Sequence, residues 1–178
     1  MNIDEKTRNI LSNLKSADPE LVLATIGKIR ESGNNFILAG LIDLLHNTEV
    51  PEIKKSVLNL LSELKNKASI PVFVEAIKNA DYASERKDLV ACCWQNGLSY
   101  NDYLPFFIDL VINEEFMIAF EAFTVIENLY GQIDEQVIEN EVVKLKEALK
   151  NSDGQKDYLL IGLLAIIQDI PDKQEFAD

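Results

Sequence analysis

The sequence predicts an all-α chain, an α-α superhelix of about five antiparallel helix pairs stacked side by side in one domain spanning residues 1 to 178. Three observations predict it. Ten successive segments carry apolar residues near i, i+3, i+4 and i+7; all five prolines fall at segment ends; and the segments recur at a nearly constant spacing.

The spacing predicts helices over 3–15, 19–32, 36–46, 51–65, 70–80, 84–96, 103–113, 115–130, 135–150 and 155–170. Ile53, Val57, Leu60 and Leu64 form the stripe of the fourth, and Ile138, Val142, Leu145 and Leu149 that of the ninth. Asp18 before Pro19 reads as an N-cap followed by proline at the first helical position, where its missing N–H costs nothing. Pro51 repeats that placement, Ser69 with Pro71 and Asp102 with Pro105 mark further starts, and Pro171 follows the last helix. Gly33, Gly97 and Gly131 follow apolar stripes, where a left-handed residue ends a helix. Gly27, Gly40 and Gly162 fall inside helical stretches, where close approach of a neighbouring helix is the expected compensation. Connections of a few residues make sequential helices antiparallel neighbours.

The second helices of successive pairs begin near residues 19, 51, 84, 115 and 155, intervals of 32, 33, 31 and 40. A drifting period of this kind is the mark of a helical solenoid. The stretch Pro51-Glu52-Ile53-Lys54-Lys55-Ser56-Val57-Leu58-Asn59-Leu60-Leu61 resembles the second helix of a HEAT repeat, and Asp18-Pro19-Glu20-Leu21-Val22-Leu23-Ala24 is a weaker copy. The chain thus resembles the HEAT-repeat, armadillo-like family of α-solenoids, here a small bacterial-type member. That resemblance implies a protein-binding scaffold or adaptor, with the second helices lining a concave face. Some proteins of this architecture are instead carriers or chaperones for a small molecule or chromophore, or enzymes. The diiron hydroxylases among them carry repeated His-Glu pairs, whereas His46 is followed by Asn47. The alkylpurine DNA glycosylases among them present a basic face, which this chain lacks.

Composition fits a folded, acidic protein: 47% apolar residues, 26% charged and a net charge of −13. The segment Met1 to Ser16 has no apolar h-region, so no secretory signal is expected. The longest nearly unbroken apolar run, Tyr158 to Ile167, is about half of a ~20-residue membrane span. Cys92 and Cys93 are adjacent and diverge by about 100° on a helix, a poor arrangement for a disulfide. Together these predict a cytoplasmic protein bound neither to membrane nor to nucleic acid.

No catalytic or metal constellation is legible, so catalytic, cofactor-binding and metal residues are all expected to be none. The one histidine, His46, is far in sequence from Cys92 and Cys93 and suits a helix C-terminus. Zinc or EF-hand spacing is absent, as are phosphate-binding glycine motifs. Glu114-Glu115 and Asp134-Glu135 suit helix N-termini.

The charge is unevenly placed. Residues 101–178 hold 17 acids and five bases, and from Asp88 to Val143 there are eleven acids with no Lys, Arg or His. Nine of the fourteen aromatics share that segment. Phe116, Phe120 and Phe123 are expected in the core. Trp94, Tyr100 and Tyr103 flank the turn Gln95-Asn96-Gly97 as candidate anchors, and Glu121 and Glu127 are expected on a solvated or groove-facing stripe. The expected partner-binding set is therefore Trp94, Gln95, Asn96, Tyr100, Tyr103, Glu121 and Glu127, and the expected partner a basic protein. Because Tyr158 to Ile167 is apolar around its whole circumference, the last helix needs a cover: the tail Pro171 to Asp178 with Phe176, a second copy forming a homodimer, another protein, or a central position in its own stack.

Overall fold

The computed structural model describes residues 4–29 and 34–170, with backbone alone at 168 and 169. Regular structure among them is helical throughout: α1 (Glu5–Leu14), α2 (Pro19–Ile26), α3 (Asn35–Asn47), α4 (Pro51–Ser62), α5 (Ile70–Lys78), α6 (Arg86–Gln95), α7 (Leu104–Asn113), α8 (Phe116–Glu127), α9 (Glu135–Lys150) and α10 (Asp157–Asp169). Single 3-10 turns, Lys67–Ser69, Ala80–Tyr82 and Asn101–Tyr103, lead into α5, α6 and α7. Three residues are too few to show a period, so the sequence does not reveal them. Gly33 and the tail Pro171 to Asp178 lie outside the described residues.

The helix ends follow from local chemistry. Asp18 accepts from the N–H of Glu20 at 3.0 Å while Pro19 occupies the first helical position of α2. Asp134 does the same for α9, accepting from Gln136 at 2.8 Å. Gly97 and Gly131 adopt φ of 65° and 88°, the left-handed stops their positions call for. Gly40 lies within α3 where an added Cβ would come 2.5 Å from Leu11 Cδ2 of α1. Gly162 of α10 has Phe123 of α8 in the same place, at 3.0 Å. Gly27 departs from expectation: it caps α2 at its C-terminus with an ordinary φ of −63°, and among the described residues an added Cβ would meet only its own turn within 4 Å.

Contacts divide the chain into two compact units, Met1–Leu98 and Ser99–Asp178. In the first, helices pack in sequential pairs, α1 on α2, α3 on α4 and α5 on α6, and α1 also meets α3, α2 meets α4, α3 meets α5 and α4 meets α6. Leu41, Ile42, Leu61, Phe73, Ile77 and Leu89 fill its centre. In the second, α7 pairs with α8 and α9 with α10, while α7 meets α9 and α8 meets α10. Tyr100, Leu104, Phe107, Ile126, Leu145 and Leu163 are buried there.

The cover for the last helix is largely internal. α10 touches α7, α8 and α9, and these bury Leu159, Leu160, Leu163 and Ile167. Each such side chain contributes about 1.5–3 kcal/mol. Tyr158 and Ile161 remain exposed, at 59% and 56%. No helix among the described residues is long and apolar enough to cross a membrane.

Candidate functional site

Two of the expected surface residues are interior. Asn96 is fully buried at the end of α6. Its Oδ1 accepts from the N–H of Leu98 at 2.9 Å, and its carbonyl accepts from Lys65 Nζ at 2.6 Å, so it shapes the turn from within. Tyr100 is also fully buried, its ring edge-on to Phe107 with centroids 5.5 Å apart. The 3-10 turn Asn101–Tyr103 explains the difference: the N–H of Tyr103 donates to the carbonyl of Tyr100 at 2.8 Å, and the reversal leaves Tyr100 in the core and Tyr103 half-exposed. Of the remaining residues, Trp94 is half-buried and Gln95 exposed. Trp94, Gln95 and Asn96 belong to the first unit, Tyr100, Tyr103, Glu121 and Glu127 to the second.

α8 corrects a further expectation. Its buried residues are Ile118, Ala119, Ala122, Val125 and Ile126, while Phe116, Met117 and Phe120 are 42%, 50% and 39% exposed and Phe123 is half-buried. The alanines on the inner face let the helix pack closely, which leaves the bulky rings outside. Phe116 and Phe120 stack on one another with centroids 6.4 Å apart and planes 24° from parallel. Glu121 is half-buried and Glu127 exposed. At 100° per residue, Phe116, Phe120, Phe123 and Glu127 share one stripe and Glu121 sits about 120° from Glu127. The helical spacing of the phenylalanines is real; which side of the helix faces inward is set by the alanines, and that signal was present in the sequence.

Cations flanking this acid-rich stretch are engaged, Lys87 pairing with Asp88 at 3.3 Å. Lys144 of α9 bridges Asp109 of α7 at 2.9 Å and the buried Glu141 at 2.8 Å. Burial pushes the Lys144 ammonium down, but its bonds to Glu141 and Asp109 outweigh this and the net shift is upward. Lys156 donates to the carbonyls of Ile112 and Glu114 at the end of α7, and burial holds its ammonium below the ordinary lysine value. Both lysines line a cleft of about 630 Å3 between α7, α9 and α10. The i,i+3 spacing of Glu141 and Lys144 was the sequence signal for this bridge.

In the first unit, His46 lies in the last turn of α3, its Nδ1 3.0 Å from Glu85 Oε2 and its ring edge-on to Tyr82. The Tyr82 hydroxyl donates to Asp43, and this bond, with burial and nearby carboxylates, pushes its pKa up to about 12. The cysteines are buried and point apart, Cys92 Sγ toward the Leu58 carbonyl of α4 and Cys93 Sγ toward the Leu89 carbonyl of its own helix. Burial, with Asp88 nearby, pushes the Cys92 thiol up to about 12. Among the described residues no group of three or more His, Cys, Asp or Glu is placed to hold a metal ion.

Compared with protein-family models and with curated proteins, the chain matches none.

Proposed function

We propose that this chain is a non-enzymatic, cytoplasmic protein-binding scaffold or adaptor of the HEAT-like α-solenoid kind, whose partner is a basic protein. The carrying observation is the coincidence, on α8, of exposed Phe116, Met117 and Phe120 with carboxylates in a stretch that holds no cation for 56 residues. Exposed aromatic and methionine side chains supply contact area, and a net acidic field attracts a positively charged protein and repels phosphate backbones. Packing of each helix on its neighbour and on the next but one, within each unit, supports the solenoid reading. In the first unit Trp94 is half-buried and Gln95 exposed; in the second Tyr103 and Glu121 are half-exposed and Glu127 exposed; Asn96 and Tyr100 are withdrawn from the set by their burial. A homodimer through Tyr158 to Ile167 would rest on Tyr158 and Ile161, the large members of that run left exposed.

The test is affinity purification from the native cell, followed by mass spectrometry. A reproducible basic protein is expected, whose binding weakens and loses salt dependence in the double variant Glu121→Lys, Glu127→Lys, with folding checked by circular dichroism. Unchanged affinity of the double variant at low salt would sink the reading.

A further inference from the structure

We infer that the exposed side of the α8–α10 pair is a docking surface for a cationic amphipathic helix of another protein, with Phe116, Phe120 and Tyr158 as its apolar anchors. This rests on the protein-binding reading and assigns it a place and a ligand chemistry. Phe123 of α8 lies against Gly162 of α10, so closely that a methyl group at 162 would stand 3.0 Å from the ring. That contact fixes the rotation of both helices. Phe120 lies three residues before Phe123, and Tyr158 lies four before Gly162, so the exposed rows of the two helices border the same seam. A seam between two packed helices is the groove into which a third helix lays an apolar stripe.

Charge selects the occupant. Glu115 and Glu127 are exposed at the two ends of α8, Glu127 on the same stripe as Phe116 and Phe120, and the chain supplies no base from 88 to 143. A helix with lysines or arginines flanking its apolar stripe meets both features at once. A second copy would bring the same carboxylates against themselves. The chain's own residues 172–178 carry Asp172, Glu175 and Asp178 against the single Lys173, the wrong sign for this surface. Anionic lipid is repelled on the same ground.

The full chain is titrated with a short synthetic peptide of Leu and Lys, its leucines at helical spacing, and with an isomer of identical composition whose order breaks that spacing. The periodic peptide is expected to bind at least tenfold more tightly than the isomer and to shift the backbone amide resonances of 116–127 and 157–166. Phe120→Ser and Tyr158→Ser, both at exposed positions, should each weaken it severalfold, whereas Val143→Ser, exposed on α9, should leave it unchanged. Equal affinity for the two peptides, or shifts confined elsewhere, would overturn the proposal. So would a dimer that dissociates on Phe120→Ser, or a tenfold gain in affinity on deleting 172–178, since the occupant would then be a second copy or the chain's own tail. Capture of a basic protein from the cell together with peptide shifts elsewhere would remove this surface and leave the scaffold function standing. Shifts at the seam with no protein captured would do the reverse.

Discussion

Lys156 donates to the carbonyl of Glu114 at 2.9 Å, and through it to the C-terminal end of α7, forty-two residues earlier in the chain. The last carbonyls of a helix have no partner within it, and an ammonium satisfies them while complementing the helix dipole. Replacing this group leaves partly buried acceptors unpaired. Lys156→Met is expected to lower stability by about 1.5–3 kcal/mol, read as a reduced urea midpoint with an unchanged slope. A midpoint equal to that of the parent would show that water replaces the lysine at no cost.

Two glycines should respond oppositely to alanine. Gly27 has helical φ, and a Cβ there would meet its own turn at 3.6 Å, so Gly27→Ala should stabilise by up to about 1 kcal/mol. Gly97 has open space, its nearest neighbour being Lys65 Nζ at 3.9 Å, but φ of 65° strains any side chain. Gly97→Ala should destabilise by about 1–2 kcal/mol. Thermal melts of the two variants, compared with the parent, check both signs.

The buried thiols should be silent. With Cys92 pushed up to about 12 and both sulfurs enclosed, a thiol-specific reagent at neutral pH should label neither cysteine in the native protein and both in denaturant. Rapid native labelling would contradict the packing of α6 on α4.

Alkali should weaken the first unit through Tyr82. Its pKa is raised by folding from an ordinary 10.0 to about 12, so the stabilisation is complete below pH 10 and is lost as pH rises through 12. Tyr82→Phe should flatten the fall of stability between those values. Chemical denaturation across that range measures the slope, and an identical slope in the variant would assign the loss to other groups, of which Cys92 and Lys144 shift in the same direction.

Helix positions were legible because each segment carries its own period and its own punctuation: Asp18 with Pro19, Asp134, Gly97 and Gly131 act within a few residues of themselves. Burial of individual aromatics was less legible, because it depends on how a turn folds back and on which of two apolar helix faces turns inward. Tyr100 reads as a loop tyrosine until Phe107 is placed against it, and Phe116 and Phe120 read as core until Ala119 and Ala122 are seen to occupy the inner side. Asn96 reads as a turn residue and is one, but with its amide turned inward to Leu98. The expected set keeps Glu121 and Glu127 on α8, where Phe116, Met117 and Phe120 are also exposed, and loses Asn96 and Tyr100 to the interior.

The same acids set how copies of this chain treat one another. An exposed stacked pair, Phe116 on Phe120, is the kind of patch that makes proteins aggregate, yet at neutral pH each copy carries −13 and its acid-rich unit most of that. Mutual repulsion keeps the rings of different copies apart without burying them, and it does so only while the carboxylates are ionised. Near pH 4.5, the isoelectric point of the chain, that barrier vanishes and the rings become sites of self-adhesion. Colloidal stability thus draws on the same carboxylates as the proposed docking surface, and every one removed from α8 brings the chain closer to precipitation.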